Sequence, residues 1–271
     1  MTTQPSPHAD VYTHGHSPGV LRSHQARTVE NSAAYLEPHL QPGQRLLDVG
    51  CGPGSITAGL AGRVADVTAV DNAPAVVAEA VRHAHEQGVG NARFAVGDIY
   101  GLDFADGAFD VVHAHQVLQH LTDPVAALVE MRRVCAPGGI VAARDADYAG
   151  MIWAPADPRL DRWMALYQEV ARGNGAEPDA GRYLLGWAQR AGFASVEASA
   201  SVWCYATDEA RRWWGGVWAE RILTSSVADL ALERGLTERA ELESISAAWR
   251  DWADRPDGWF VIPHGEILAR P

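Results

Sequence analysis

The stretch Arg45 to Ser55, RLLDVGCGPGS, carries the most concentrated chemical signal in the chain. A short apolar run holding one acid, Asp48, leads into glycines at Gly50, Gly52 and Gly54. Glycines this close together let a backbone turn through conformations closed to other residues and let a ligand lie against the chain. The following stretch, SITAGLAGR, reads as an amphipathic helix whose first N–H groups are unpaired. A strand, a tight turn and a helix in this order place the turn where open parallel sheets bind ligands, outside the carboxyl ends of the strands. A nucleotide-like cofactor is the expected occupant, either a dinucleotide or S-adenosylmethionine. The dinucleotide fingerprint Gly-x-Gly-x-x-Gly needs a third glycine where this chain has Ser55. Asp48 also suits a ligand with an amino group better than a pyrophosphate. Cys51 has no histidine beside it in sequence, so contact through its backbone is expected rather than thiol chemistry.

The elements needed to hold such a turn recur along the chain. VLRSHQARTVENSAAYLEPHL reads as one helix ending before Pro42-Gly43. Strands are expected at RLLDVG, VADVTAVD, ARFAVGD, FDVVHAHQ and IVAARDAD. Helices are expected at APAVVAEAVRHAHEQG and DPVAALVEMRRVCAPGG, the latter capped by Asp123 with Pro124 at its first position. This alternation implies an α/β fold with a mostly parallel sheet and helices on both faces. Past Tyr148 the sequence reads as a loop, two helices around DRWMALYQEVARG and GRYLLGWAQRAG, and a strand SVEASASVWCYA. A strongly helical, tryptophan-rich segment, 207–258, then precedes a last strand, WFVIPHGEILAR.

LLDVGCGPGS resembles the first motif of class I S-adenosylmethionine-dependent methyltransferases. The resemblance runs from about Val20 to Ala146 and takes in three further motifs in order. VDNA, holding Asp71 and Asn72, is similar to the family's acidic second-strand motif, in which Asp71 would accept from both ribose hydroxyls. GDI is similar to the third, in which Asp98 would accept from the adenine amine and Ile99 would pack on the ring. FDVVHAHQVLQHL and EMRRVCAPGG resemble the fourth-strand region of a broad small-molecule group that includes the ubiquinone and menaquinone methyltransferases. The resemblance implies a Rossmann-like fold with a seven-stranded, mostly parallel sheet, helices on both faces and a helical lid inserted before the last strand. The expected division is an arm over the cofactor at 1–19, a methyltransferase domain at 20–206 and 259–271, and a tryptophan-rich lid at 207–258. It also implies that His115 and Gln116 line the methionine side of the cofactor. Tyr12 and His16 of the arm would close the pocket, and Arg27 would pair with the cofactor carboxylate.

Methyl transfer from a sulfonium is an in-line displacement of an activated group. Holding the acceptor ~3 Å from the methyl can supply ~7–11 kcal/mol of the barrier through orientation alone. A general base matters only for a hydroxyl or carbon acid, where it contributes ~10²–10⁴-fold. His120, following the fourth strand with Gln116 four residues before it, is the first candidate. Asp145, at the end of the fifth strand, is expected to orient that histidine or to act itself, with Asp147 and Tyr148 close by. A similar pairing of histidine and aspartate occurs in some sugar and small-molecule O-methyltransferases.

Composition narrows the partners. The formal charge of -12 repels a phosphate backbone or an anionic membrane. All 22 basic residues are arginine, which excludes lysine Schiff-base chemistry and a phosphate loop ending in Gly-Lys-Ser or Gly-Lys-Thr. The three cysteines are scattered, and no run approaches the ~18 apolar residues of a membrane span, so a cytoplasmic protein is expected. His14 with His16 and His113 with His115 lack an acidic third ligand nearby, and no metal is expected. Six of the ten tryptophans lie in the last quarter; Trp213 and Trp214 are adjacent and cannot share one helix face, so at least one of them is expected to line a substrate pocket. The expectation is an O- or C-methyltransferase of secondary metabolism, monomeric or homodimeric, with a small-molecule or peptide acceptor and S-adenosylhomocysteine as product. The alternatives are a non-catalytic S-adenosylmethionine-binding protein and an NAD-dependent oxidoreductase.

Overall fold

The computed structural model describes residues 10–15 and 18–271. One sheet organises the chain. Strands β1 (Arg45–Val49), β2 (Asp66–Asp71), β3 (Ala92–Val96), β4 (Phe109–His115) and β5 (Cys135–Ala146) are all parallel, in the order β3-β2-β1-β4-β5. Three more strands, β6 (Ile152–Ala154), β7 (Ser195–Tyr205) and β8 (Trp259–Arg270), complete it. β8 runs antiparallel between β5 and β7, and its first residues also pair with β6. The order turns back at β1, whose neighbours are β2 and β4, so a crevice opens there at the strand ends.

The middle stretches of the central strands are rich in apolar residues on both faces because the sheet is covered on both sides. Leu46, Val111, Ile140 and Ala142 pack on one side with Ile56 and Leu60 of α3 (Ser55–Ala61). Leu47, Val112, Val141 and Ala143 pack on the other with Leu128 and Met131 of α5 (Pro124–Val134) and Trp187 of α7 (Leu184–Arg190). Pairs such as Leu46 and Leu47 alternate between the two cores, the period of a strand. A third core joins α6 (Pro158–Gly173) to α8 (Asp208–Thr224), α9 (Ser226–Glu233) and α10 (Arg239–Ala253). At its centre Trp163 meets Trp218 and Trp249 edge-on, with ring centroids 4.6 and 4.9 Å apart, a favoured aromatic geometry.

Three local expectations are corrected. The long first helix is two: α1 (Pro18–Gln25) stops, and α2 (Val29–Ser32) starts afresh because Thr28 and Asn31 form a reciprocal capping box. The helix α5 ends at Val134, ahead of Pro137, and β5 begins at Cys135. The sheet has eight strands rather than seven, because β6 forms in the stretch read as a loop after Tyr148.

Candidate active site

Each glycine of the turn has a different reason to be glycine. All three have positive φ, +68° at Gly50, +55° at Gly52 and +80° at Gly54, a region side chains disfavour. A Cβ on Gly50 would collide with the side chain of Val117, and one on Gly54 would lie 3.1 Å from the Cβ of Ala80 on α4 (Pro74–Glu86). Gly52 alone meets nothing within 4 Å. Its open side faces a cavity whose walls include Gly50, Cys51 and Gly52, whereas Gly54 packs behind the wall. The turn is tied to β2, with the N–H groups of Gly50 and Cys51 donating to the carbonyl of Val70 at 2.8 and 3.0 Å.

Consecutive strand ends supply the rest of this cavity. Asp71 closes β2, and its carboxylate accepts from the backbone N–H of Gly52 and of Ala73, each at 3.1 Å, which fixes its orientation. Asn72 follows it on the wall. Asp98, past β3, accepts from the N–H of Tyr100 at 3.0 Å, and Ile99 is buried beside it. Asp48 lines the cavity from β1, but its oxygens are engaged by Thr57 at 2.5 Å and by Nδ1 of His113 at 2.8 Å. Both its oxygens are thus already engaged within the protein. His115 ends β4 with both ring nitrogens buried and without a partner among the described residues; burial, with help from Arg27, holds its pKa well below the ordinary imidazole value. Carboxylates at two strand ends, exposed backbone at Gly52 and polar atoms of His115 awaiting partners suit a nucleoside with a charged, polar tail. Among the described residues no cluster of ligands suits a metal ion.

The break between α1 and α2 places Arg27 on this wall. Its Nη2 donates to Oε1 of Gln116 at 2.7 Å, and no carboxylate pairs with it among the described residues. Enclosure lowers its pKa to about 10. Gln116, at φ +54°, passes the contact on: its Nε2 donates to Nε2 of His264, whose Nδ1–H donates to the carbonyl of Ile262. This chain assigns the His264 tautomer, because a ring nitrogen facing a carbonyl carries the proton.

His120 sits on a 3₁₀ turn, Leu118–His120, and lines the same cavity. Burial, then Arg27 and Arg221, push its pKa down to about 3, so the ring is neutral. Tyr12 meets it edge-on at 4.7 Å and bonds through its hydroxyl to His24 at 3.2 Å. Asp145 does not reach either cavity described here. Fully buried, it accepts from the N–H of Gln119 at 3.1 Å and so braces the turn that carries His120. Strand alternation turns its side chain toward that turn and away from the cavity walls. His16 lies outside the described residues.

A second cavity, of about 370 Å³, adjoins the first and shares His14, Arg27 and Gln116 with it. Tyr148, Trp203, Tyr205, Trp213 and Trp214 wall it, so both adjacent tryptophans take part. Tyr205 and Trp214 stack at 4.6 Å and an interplanar angle of 3°. His14 stands at the junction, accepting from Arg221 at Nδ1 and facing the hydroxyls of Tyr167 and Tyr148 at 3.0 and 3.3 Å from Nε2. Sequence reasoning missed His14, Tyr205, Arg221 and His264 as site residues. The one available signal was His264, a histidine directly after the apolar run Trp259 to Pro263 of the last strand.

Residues 47–143 match the methyltransferase domain family. An uncharacterized methyltransferase of Schizosaccharomyces pombe is 36% identical over 96% of both chains, and a probable methyltransferase of Aspergillus luteorubrus is 30% identical over 95% of this chain and 96% of its own. The YcgJ protein of Bacillus subtilis shares the fold, with a TM-score of 0.55 at 19% identity over 85% of this chain and 93% of its own. Full-length similarity at this level, on a sheet ordered and a glycine turn placed as described, displaces the oxidoreductase alternative. The chain belongs to the class I S-adenosylmethionine-dependent methyltransferases.

Proposed function

We propose that the first cavity holds S-adenosylmethionine and that the second holds a small, flat, largely apolar acceptor. The observation that carries this reading is the shared wall: His14, Arg27 and Gln116 belong to both cavities, so a donor in one and an acceptor in the other meet at the end of β4. In the donor cavity Asp71 takes the ribose hydroxyls, Asp98 the adenine amine and Ile99 the face of the ring. Gly52 lies against the cofactor backbone, His115 and Gln116 flank its methionine part, and Arg27 pairs with its carboxylate. Residues 10–15 and helix α8 act as a cover over the two chambers.

Five aromatic side chains favour a planar acceptor, and a cavity of this size favours a small molecule over a peptide. The acceptor atom in this proposal is oxygen or carbon. His120 lines the donor cavity, its ring 5.6 Å from that of His14 on the shared wall, and would reach the acceptor only where it meets the donor; with its pKa near 3 it is a weak proton acceptor, so catalysis rests on alignment and on an acceptor that is itself acidic. The charge of -12 speaks against nucleic acid, no helix of the described residues is long and apolar enough to cross a membrane, and three free cysteines suit the cytoplasm. Placement in secondary metabolism rests on the resemblance.

Formation of S-adenosylhomocysteine from S-adenosylmethionine, measured against a panel of hydroxy-aromatic and enolisable compounds and a panel of short peptides, tests the proposal. Turnover with members of the first panel is expected. Tight cofactor binding without turnover in either panel contradicts it and favours a non-catalytic binder.

A further inference from the structure

Three arginines are buried among the described residues, Arg144, Arg211 and Arg221. Two have carboxylate partners, Glu266 for Arg144 at 3.1 Å and Asp208 for Arg211 at 2.5 Å. Arg221 has none. It projects from α8 onto the wall of the second cavity, only 4% exposed, with its guanidinium 4.4 Å from the ring centre of Trp218. Its Nη2 donates to the neutral ring of His14, and its Nε has no partner among the described residues. The residues outside the described set include no Asp or Glu, so they hold no acidic side chain that would pair with it.

An arginine stays charged in a protein, and a buried charge without a counter-ion is strongly destabilising. A chain with 34 acidic residues and only 22 basic ones has carboxylates to spare, yet none is brought to this position. The cofactor does not fill the need in the proposed arrangement. It carries one carboxylate, and Arg27 lies on the wall of both cavities, whereas Arg221 lines only the second.

We infer that Arg221 is an anion site at one end of the acceptor cavity, and that the acceptor joins an oxyanion to a flat apolar body. The guanidinium fork holds the oxyanion while Tyr205 and Trp214 hold the ring system. This rests on the second cavity being the acceptor chamber, and it adds a recognition element that an apolar aromatic chamber alone lacks.

The probes are 1-naphthoate and 1-naphthamide, equal in shape and different in charge, titrated calorimetrically into the protein saturated with S-adenosylhomocysteine. Wild type is expected to bind naphthoate about tenfold or more tightly than the amide, the range of a hydrogen bond to a charged group. In Arg221→Gln, saturated in the same way, that preference is expected to vanish. Equal binding of the two probes by wild type, or binding of neither, overturns the anion site. So does a preference that persists in a folded Arg221→Gln. The wild-type comparison stands even where the variant does not fold. Failure of the wild-type protein to bind S-adenosylhomocysteine is a separate result and overturns the cofactor assignment instead.

Discussion

Replacing Asp145 with Asn isolates the energetics of the brace behind the candidate site. Burial raises the carboxyl of Asp145 from 3.8 to about 7, although bonds from Gln119 and Leu118 and the nearby charge of Arg144 oppose the shift. A carboxyl with a raised folded-state pKa holds its proton more tightly folded than unfolded. Its contribution is therefore complete below its unfolded pKa and is lost as pH rises through about 7. Between about pH 5.5 and about pH 8.5 some 1.5 units of the shift are titrated, which at 1.36 kcal/mol per unit removes about 2 kcal/mol from the wild type. Asn keeps an acceptor for the Gln119 N–H and has no proton to lose. In a protein of this size about 2 kcal/mol corresponds to roughly 4–8 °C in Tm. The buried histidines His14, His115 and His264, with lowered pKa values, act in the other direction and destabilise the fold as pH falls, but they are common to both proteins. The readout is thus the difference in Tm between Asp145→Asn and wild type, followed by calorimetric scans across this range. The variant should gain on the wild type by roughly that amount as pH rises. A difference that stays flat with pH would refute the raised pKa and with it the account of Asp145 as a buried, partly protonated brace.

Other outcomes follow from the same geometry. Gly50→Ala should destabilise the fold by at least about 1–2 kcal/mol, from positive φ and the clash with Val117, as measured by denaturant unfolding. Gly52→Val should show mainly the φ cost in stability, yet lose S-adenosylhomocysteine binding, because its side chain would occupy the open space over the turn. His264→Leu removes the acceptor for Gln116 and should cost about 1–3 kcal/mol in unfolding free energy while weakening the cofactor affinity that Arg27 supports. Once an acceptor is known, the pH profile of kcat/KM should lack a His120 limb near pH 6.5, since burial keeps that ring neutral down to about 3; a limb there that disappears in His120→Gln would contradict the electrostatics described.

Much of the first cavity, the proposed donor chamber, was legible because it is local. Gly50, Asp71, Asp98 and His115 each end or follow a strand, and parallel strands bring their ends together without further information. Asp145 also sits at a strand end but lines neither cavity: neighbouring residues on a strand face opposite sides, and the side of Asp145 is closed by the turn bearing His120. The break before Arg27 was hidden because helical spacing of apolar residues continues through it while Thr28 caps the next helix. The second cavity, the proposed acceptor chamber, was not legible as a unit. His14, Tyr148, Tyr205 and Arg221 meet there from distant parts of the chain, and only the packing of α6 and α8 against the sheet and the arm brings them together.

The central claim is that the glycine turn and Asp71 hold the nucleoside of S-adenosylmethionine. Isothermal titration of S-adenosylhomocysteine into wild type and Asp71→Ala, with NAD as the parallel ligand, tests it most directly. The account predicts binding of S-adenosylhomocysteine and not of NAD by wild type, and at least a roughly tenfold loss of affinity in Asp71→Ala, the scale of hydrogen bonds to a charged group. Equal affinity in the two proteins, or a preference for NAD, would contradict it.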